Sequence, residues 1–393
     1  MPKVFLSAGE ASGEHYGAAL IPAIRRLVPN AEFFGLGGQR MEALGFRRVV
    51  RAEDVAVMGI TEVLLHMPRI YGEYRKLKAS IRQERPGLAI LIDFPDVNLS
   101  LAKHLKRAGV PVLYFVSPQL WAWKKYRIRD VQRYVDRMLV IFPFEVPFYR
   151  ERKVQATFVG HPLADLRLPT VSREDFAREN HLDPSKLWIG LLPGSRAKEV
   201  RLNLPEMVKA AQALQHSSDY EFLLPLAPTL TGEQRAEIQA MLPIAPKITI
   251  TGDSRATLHH ARASVVASGT ATVEAALIGN PFVVVYRVSR VTYAVAQRVV
   301  DVPHVAMVNL IAGRRAVPEL IQSDFTAANL VLHLQPLLQN EEARAGMQSS
   351  LRQISDMLKA KDNPADGPVH HGETAIDRAA GIAAQMLDPQ ETL

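Results

Sequence analysis

Short apolar segments alternate with amphipathic helical segments along most of this chain, and this alternation restricts the fold more than any other feature. The predicted strands cover residues 4–7, 32–35, 88–92, 112–116, 137–142, 156–159, 187–192, 222–226, 247–250, 263–267 and 281–286. The clearest predicted helices cover residues 14–28, 71–85 and 99–108. Strands that alternate with helices in this way predict parallel sheets covered by helices on both faces.

The length of 393 residues exceeds what one hydrophobic core usually supports, so we expect two domains. Proline and charged residues replace the apolar pattern at 160–175, which indicates the joint. We predict an α/β fold with two Rossmann-like, doubly wound parallel-sheet domains, 1–165 and 166–350, facing across a cleft. A helical tail, 351–393, then packs back on the first domain or on a partner subunit.

The absence of cysteine excludes disulfides, thiolate nucleophiles, iron–sulfur clusters and thiolate zinc sites. The chain begins directly with a strand, without the basic and apolar regions of a secretory signal. No apolar run approaches the ~20 residues that a membrane-spanning helix needs. We therefore expect a cytoplasmic protein.

Positive charge is concentrated in the first part of the chain. Residues 1–160 contain 25 Lys and Arg against 15 Asp and Glu, whereas the remainder contains 22 against 25. A basic domain suits an anionic partner, which could be nucleic acid, a phosphorylated ligand or an acidic membrane surface. No recognisable nucleic-acid-binding module accompanies the charge, so we expect no nucleic-acid partner.

The segment SGTATVEAALIGNPFVVVYR, residues 268–287, predicts a strand end, a tight turn, a short helix and another strand. The turn contains Ser268, Gly269, Thr270 and Ala271, and a helix that opens there presents free N–H groups and a positive dipole end to a phosphate. Glu274, one turn further, could bind ribose hydroxyls. The alternative is an ordinary crossover, whose turns favour the same residues.

A second turn suited to phosphate follows the predicted strand 187–192. It contains Gly194, Ser195 and Arg196. A guanidinium makes paired, charge-assisted hydrogen bonds to a diphosphate, although an exposed turn arginine is the simpler interpretation of Arg196 alone. Two such turns in one domain together favour a nucleotide diphosphate site.

Polar residues also follow the first-domain strands. Gly9, Glu10 and Ser12 follow strand 4–7, in a spacing that does not match G-x-G-x-x-G. Asp93 and Asp96 follow strand 88–92, where a carboxylate could take a proton from a hydroxyl as a general base. Alternatively, Asp96 or Asn98 only caps the next helix.

Trp121 and Trp123 lie beside a basic run. Such tryptophans could stack on a ligand, but burial in the core is the more common role. This choice stays open from the sequence.

Several cofactor sites are not expected. The chain has no G-x-x-x-x-G-K-[ST] loop and no Asp-x-Asp in a setting that suits a metal diphosphate. The pairs His259–His260 and His370–His371 are adjacent rather than spaced as helical zinc ligands, and we interpret them as surface residues. We expect no cofactor and no metal, with arginine and helix N-termini stabilising a leaving diphosphate.

The segment 55–85 joins a mostly apolar run to a strongly basic amphipathic stretch. Such a segment could lie in a membrane interface beside anionic lipids. We assign the membrane contact to Val63, Leu64, Leu65, Met67 and Ile70. The alternative is a core helix followed by a solvated one.

Nine motifs occur in the order SAGEASGE, AVMGITEVL, IDFPDVN, VSPQLWAW, FPFE, GHP, LLPGSRAKEV, SGTATVEAAL and VNLIAGR. As a set, they closely resemble the lipid-A-disaccharide synthase family from residue 4 to residue 318. The resemblance implies a GT-B fold and an inverting glycosyltransferase without a metal. It also implies a peripheral inner-membrane enzyme that joins UDP-2,3-diacylglucosamine to the 6-hydroxyl of 2,3-diacylglucosamine 1-phosphate, with release of UDP.

By the same resemblance, the family's essential aspartate falls on Asp93, its phosphate-region arginine on Arg196 and its asparagine on Asn309. The nucleotide turn falls on 268–274, and Gly9 and Glu10 match the family's N-terminal Gly-Glu. These residues and others from the sequence give three sets of candidates. The catalytic candidates are Asp93, Glu10, Arg196 and Asn309, with the choice of Asp93 or Glu10 as the base left open. The UDP-binding candidates are Gly194, Ser195, Arg196, Ser268, Gly269, Thr270, Ala271, Glu274 and Arg287. The acceptor-side candidates are Gly9, Ser12, Asp96 and Ser117. The chain has Glu14 where the family motif often has Asp.

Three rival functions remain at this point: a peptidoglycan N-acetylglucosaminyltransferase, a UDP-sugar 2-epimerase, and a non-catalytic nucleotide- or lipid-binding protein. The first two would not need the apolar surface at 55–85. The third, which only binds its ligand, would not need a carboxylate opposite the diphosphate site. A homodimer is left open.

Overall fold

The computed structural model describes residues 1–54, 60–215, 219–360 and 372–387, with the side chains of residues 11 and 60–70 outside the description. The chain divides into two compact units. Unit 1 comprises Met1–Asp165 together with the described residues from Leu358 onwards, and unit 2 comprises Leu166–Met357.

The described part of unit 1 contains a seven-stranded parallel sheet in the order β3-β2-β1-β4-β5-β6-β7. Its strands are β1 (Lys3–Ala8), β2 (Glu32–Gly37), β3 (Arg47–Arg51), β4 (Leu88–Ile92), β5 (Val112–Phe115), β6 (Arg137–Val140) and β7 (Ala156–Phe158). Its helices are α1 (Ala11–Leu27), α2 (Gln39–Glu42), α3 (Ile60–Glu84), α4 (Pro95–Arg107), α5 (Ile128–Tyr134), α6 (Glu145–Arg150) and α16 (Ala375–Leu387).

The described part of unit 2 contains a six-stranded parallel sheet in the order β10-β9-β8-β11-β12-β13. Its strands are β8 (Leu187–Leu192), β9 (Tyr220–Pro225), β10 (Ile248–Thr251), β11 (Ala263–Ala267), β12 (Phe282–Tyr286) and β13 (Glu319–Ile321). Its helices are α7 (Arg173–Asn180), α8 (Ala197–Gln215), α9 (Gly232–Ala240), α10 (Ser254–His260), α11 (Thr270–Ile278), α12 (Arg290–Val299), α13 (Met307–Ala312), α14 (Ala327–Gln339) and α15 (Glu341–Leu358).

Strand order explains where functional loops belong in each sheet. The order reverses between β1 and β4 in unit 1 and between β8 and β11 in unit 2. Ligands of doubly wound sheets bind beyond the carboxyl ends of the strands at such a reversal. The loops after β1, β4, β8 and β11 contain several of the residues that the sequence singled out, whereas Ser117, Arg287 and Asn309 lie elsewhere.

The central strands form because their residues are apolar on both sides. All five residues of β4, with the sequence LAILI, are buried. Helices cover both faces of a parallel sheet, so neither side of such a strand is available for polar residues. Because this apolar pattern is uninterrupted, the predicted bounds of β4 and β11 agree with the observed bounds at both ends.

The structure corrects the sequence-based boundaries in two ways. Helices α1 and α4 begin at Ala11 and Pro95, three or four residues before the predicted starts at 14 and 99. Helix α3 begins at Ile60, well before the predicted start at 71. In addition, strands β3 and β13 were not predicted. Both are edge strands. An edge strand with a solvated side tolerates charge, so the charged sequence RRVVR of β3 did not have the apolar pattern of a predicted strand.

The last described helix, α16, packs against α1 within unit 1. It buries Ala375, Ala379, Ala380 and Ala383, and Asp377 forms an ion pair with Arg26 of α1. Helix α16 therefore lies on the first sheet domain of its own chain, whereas residues 351–357 of the predicted tail belong to unit 2. A tail packed on a partner subunit, and a homodimer, both stay predictions.

Among the described residues, no helix is long and apolar enough to cross a bilayer. Val63, Leu64, Leu65, Met67 and Ile70 fall within α3, but their side chains lie outside the described part of the structure.

Candidate functional site

Asp93 occupies an unusual backbone conformation directly after β4. Its φ is 47°, and that of Phe94 is 48°, so two consecutive non-glycine residues adopt the left-handed conformation. Each such residue costs on the order of 1–3 kcal/mol and persists only where its surroundings enforce it. This strain singles out the Asp93 turn as a candidate functional site.

Buried hydrogen bonds enforce the Asp93 turn. The Asn98 Nδ2 donates to the carbonyl oxygens of Asp93 at 2.7 Å and Ile92 at 3.1 Å. The Tyr114 hydroxyl donates to the same Asp93 carbonyl at 2.6 Å, and the Ser7 hydroxyl donates to Asn98 Oδ1 at 2.6 Å. Asn98 therefore does not cap α4, which has no side-chain cap, but fixes the backbone of the candidate base.

The position of Gly9 beside this turn has no room for a side chain. A Cβ at Gly9 would lie under 3.0 Å from ring atoms of Phe94. The Phe94 ring therefore packs directly on the Gly9 backbone, which links the loop after β1 to the loop after β4. Ser12, in contrast, is exposed in the first turn of α1.

The Asp93 carboxyl is half-buried and has an altered acidity. Burial, together with the nearby Glu10 carboxylate, raises the pKa of Asp93 to about 6. Glu10 itself is exposed. A carboxylate with a pKa near 6 is ionised at neutral pH and is more basic than an ordinary aspartate, as a general base requires.

A buried carboxylate, Glu145, organises the loop after β5. It accepts hydrogen bonds from the Ser117 hydroxyl at 2.5 Å and from the Trp121 indole at 3.1 Å. Burial raises the pKa of Glu145 to about 7, against the opposing effect of these donors. Ser117 is thus occupied within the protein, and the half-buried Trp121 has a structural partner. Sequence reasoning missed Glu145.

Asp96 lies in the first turn of α4 and forms ion pairs with Lys124 and Arg127. Its carboxylate receives no hydrogen bond from its own helix's backbone among those described. Asp96 is therefore a charge partner for the basic run after β5 rather than a helix cap.

In unit 2, α11 begins at the predicted turn. Gly269 has a φ of 156°, and both it and Thr270 are exposed. The Thr272 hydroxyl donates to the Gly269 carbonyl at 2.7 Å, while the Ser268 hydroxyl donates to the Val305 carbonyl at 3.2 Å. The first N–H groups of a helix have no partner within it, so this turn presents donors to solvent.

Glu274 is half-buried one turn into α11. Burial raises the pKa of this carboxyl, and the guanidinium of Arg255 opposes the rise. The position is compatible with accepting hydrogen bonds from hydroxyl groups of a ligand.

The turn after β8 differs from expectation in one respect. Arg196 is largely exposed and lies 3.5 Å from Glu199, and the Ser195 N–H donates to Glu199 Oε2 at 3.1 Å. A Cβ on Gly194, whose φ is 122°, would collide with the Glu199 side chain. Glu199, which sequence reasoning missed, therefore satisfies the amide that was expected to meet a phosphate.

Arg287 and Asn309 have mainly internal partners. The Arg287 guanidinium donates to the carbonyls of Gln322 and Phe325 and lies 4.5 Å from the centre of the Phe325 ring. The fully buried Asn309 amide donates to Glu319 at 2.7 Å and accepts from the N–H groups of Ala316 and Val317. Such pairing fits a positioning role better than contact with a substrate.

No group of three or more potential metal ligands occurs among the residues that the structure describes. His259 is exposed, as expected, but His260 is half-buried beside Phe176 and Trp188, which corrects its assignment to the surface. His370 and His371 lie outside the described residues.

The chain matches the protein family described as lipid-A-disaccharide synthetase over residues 4–369. A curated relative named lipid-A-disaccharide synthase, from Acidobacterium capsulatum, is 64% identical over 404 residues, which cover 100% of this chain and 98% of the relative.

Two solved structures resemble the whole chain. One is described as the glycotransferase of kitacinnamycin and has a TM-score of 0.64 at 15% identity, covering 98% of this chain and 100% of its own. The other, a putative UDP-N-acetylglucosamine 2-epimerase from Listeria monocytogenes, has a TM-score of 0.62 at 14% identity, covering 100% and 97%. At these identities the likeness concerns the fold, that of GT-B glycosyltransferases and epimerases.

Proposed function

Because the chain belongs to the lipid-A-disaccharide synthetase family, we propose that it transfers 2,3-diacylglucosamine from UDP to the 6-hydroxyl of 2,3-diacylglucosamine 1-phosphate. The products are the β-1,6-linked disaccharide 1-phosphate and UDP. Family membership makes the protein a glycosyltransferase of lipid A biosynthesis. The observation that carries the finer assignment is the strained, half-buried Asp93 with its raised pKa.

Asp93 is the proposed general base. Its carboxylate takes the proton of the acceptor 6-hydroxyl as the oxygen attacks the anomeric carbon of the donor. The new bond forms on the face opposite UDP, so the anomeric configuration inverts and the UDP oxygen leaves with the electron pair. General-base assistance of this kind typically contributes about 10²–10⁴-fold in rate.

Glu10 is the proposed electrostatic partner of that base. The exposed Glu10 carboxylate raises the pKa of Asp93, which makes Asp93 a stronger base than an ordinary aspartate. The hydrogen bonds from Asn98 and Tyr114 to the Asp93 backbone support the same choice, since they fix one orientation of that residue.

Unit 2 is the proposed site for the UDP moiety. Arg196 and the first N–H groups of α11 would bind the diphosphate, and Glu274 would accept hydrogen bonds from the ribose hydroxyls. Both turns follow strands at the reversal of the sheet order, where such ligands bind. The guanidinium and helix N-terminus would stabilise charge on departing UDP.

The proposal is tested by incubating the protein with UDP-2,3-diacylglucosamine and 2,3-diacylglucosamine 1-phosphate and detecting products by mass. Disaccharide 1-phosphate and UDP should appear in equal amounts, and neither should accumulate when the acceptor is omitted. Conversion of the donor without an acceptor would instead indicate an epimerase or a hydrolase. Unchanged substrates would exclude the transfer.

The protein is also proposed to bind the cytoplasmic face of the inner membrane peripherally. Support comes from the acylated substrates, the basic first part of the chain and the apolar run in 55–85. Acyl groups of this size stay in a bilayer, so an enzyme acting on them gains from binding its surface.

Replacing Leu64, Leu65 and Ile70 together by serine should release the protein from anionic vesicles in a sedimentation assay. Leu332→Ser is the matched control, because Leu332 is an exposed leucine on α14 of unit 2. Equal sedimentation of the triple variant and the wild type would contradict the membrane contact.

A further inference from the structure

Three charged residues form a compact ion cluster at the carboxyl edge of the first sheet. Asp96 Oδ1 lies 3.4 Å from Lys124 Nζ and also accepts from Arg127 Nη2. One carboxylate thus faces two cations, and the cluster has a net positive charge. The roles assigned so far to the base and to UDP do not use it.

The two cations are more buried than the carboxylate. The side chains of Lys124 and Arg127 are only 28% and 20% exposed, whereas that of Asp96 is 64% exposed. Lys124 has a left-handed backbone with a φ of 51°, and its ammonium lies 4.2 Å from the centre of the Trp123 ring. Two cations are therefore held close together, with an exposed anion as their internal counter-ion.

The cluster lies beside the proposed base. Asp93 and Asp96 belong to the same turn into α4. Burial raises the pKa of the Tyr114 phenol, the Asp93 carboxylate raises it further, and the Arg127 guanidinium opposes the rise. The Tyr114 hydroxyl, which donates to the Asp93 carbonyl, therefore interacts electrostatically with both the Asp93 carboxylate and the Arg127 guanidinium.

The acceptor requires an anion site of this kind. In 2,3-diacylglucosamine 1-phosphate, the hexose ring separates the reacting 6-hydroxyl from a phosphomonoester. The base and the phosphate-binding group must then be different residues, a sugar ring apart. A phosphate dianion makes stronger, paired contacts with a guanidinium and an ammonium than a single exposed carboxylate does.

We propose that Lys124 and Arg127 bind the phosphomonoester of the acceptor, with Asp96 as the counter-ion that pairs with them when no acceptor is bound. The inference rests on the proposed function, since it concerns that reaction's acceptor. It gives the basic run after β5 a role, and it predicts that the enzyme distinguishes a phosphorylated acceptor from a dephosphorylated one.

The test compares kcat/KM for 2,3-diacylglucosamine 1-phosphate with that for 2,3-diacylglucosamine lacking the phosphate. Loss of a charge-assisted contact is typically worth about 10- to 100-fold. Arg127→Gln and Lys124→Gln should therefore each lower kcat/KM by about that factor for the phosphorylated acceptor, mainly through KM, and change it less than about 3-fold for the other.

Arg129→Gln is the matched control, because Arg129 is an exposed arginine of the same basic run in α5 and loses the same charge. It should affect both acceptors equally and by less than about 2-fold. Asp96→Asn should act in the opposite direction and lower KM for the phosphorylated acceptor alone, because it removes the competing anion.

Equal losses with both acceptors in Arg127→Gln and Lys124→Gln would overturn the phosphate site and indicate a role in folding. No loss with either acceptor would overturn it as well. Absence of transfer by the wild-type enzyme would overturn the proposed function itself, so the two failures are distinguishable.

Discussion

At the scale of single residues, the structure shows how the fold alters the acidity of one aspartate, the proposed base Asp93. Asp93 follows a fully buried strand, turns into a left-handed conformation and is half-buried there. Burial and a neighbouring carboxylate both disfavour its charged form, and its pKa rises to about 6. The result is a side chain that is ionised at neutral pH but ready to accept a proton.

A pH profile tests this account. Because the base must be ionised, kcat/KM should fall about tenfold per pH unit below the Asp93 pKa of about 6. Removing the Glu10 charge by Glu10→Gln lowers the pKa of Asp93, so the acidic fall should move to lower pH. An unchanged profile would show that Glu10 does not act on the titrating group.

Asn98 offers a test of backbone positioning. Asn98→Ala releases the Asp93 carbonyl and should lower kcat at least about 10-fold, with a loss of about 1–3 kcal/mol in the free energy of unfolding. Ser7→Ala is the control, since it removes only the hydroxyl that donates to Asn98. If the two variants lose stability and kcat alike, the effect is on folding rather than on the Asp93 turn.

The sequence predicted some of these residues and not others, for a physical reason. Asp93 was predictable because an apolar strand ends just before it. Asn98 looked like a helix cap, and Glu145 attracted no notice because its partner depends on a contact that the tertiary fold creates. Glu199 pairs locally with Ser195, four residues before it, and this contact depends on the conformation of the turn after β8. The Glu145 pair with Ser117, for example, spans 28 residues.

At the scale of secondary-structure elements, the reversals of strand order place the candidate sites. The loops after β1 and β4 adjoin each other in unit 1, and those after β8 and β11 do so in unit 2. Alternating strands and helices predicted both sheets, but strand order within a sheet comes from packing. The two unpredicted edge strands, β3 and β13, left the extent of each sheet open.

Gly9 tests the contact between the first two of these loops. In Gly9→Ala, the new methyl group would displace the Phe94 ring and, with it, the Asp93 turn, so kcat should fall at least about 10-fold. The control is Gly232→Ala, because a Cβ there at the start of α9 meets no atom within 4 Å. Normal kcat in Gly9→Ala would show that the contact does not position Asp93.

At the scale of the whole molecule, the chain returns to unit 1 at its end. Helix α16 packs its alanine face on α1, so residues far apart in sequence share one core. The sequence predicted a helix here but left its packing partner open. An amphipathic face indicates that a helix packs against another surface, but it does not identify that surface.

A buried charge tests that packing. Ala379 is fully buried in the core that α16 shares with α1, so Ala379→Asp should lower the free energy of unfolding by on the order of 3–5 kcal/mol. Gln385→Asp, at an exposed position of the same helix, should lower it by less than about 0.5 kcal/mol. Urea unfolding of the full chain measures both, and equal effects would contradict this placement of α16.

The central claim is that Asp93 deprotonates the acceptor while the UDP moiety is bound elsewhere. The direct measurement is the turnover of Asp93→Asn at saturating donor and acceptor, together with the Kd for UDP by calorimetry on the same preparation. We predict turnover about 10²–10⁴-fold below the wild type and a Kd within about 2-fold of it. Turnover close to that of the wild type would contradict the assignment of Asp93 as the base.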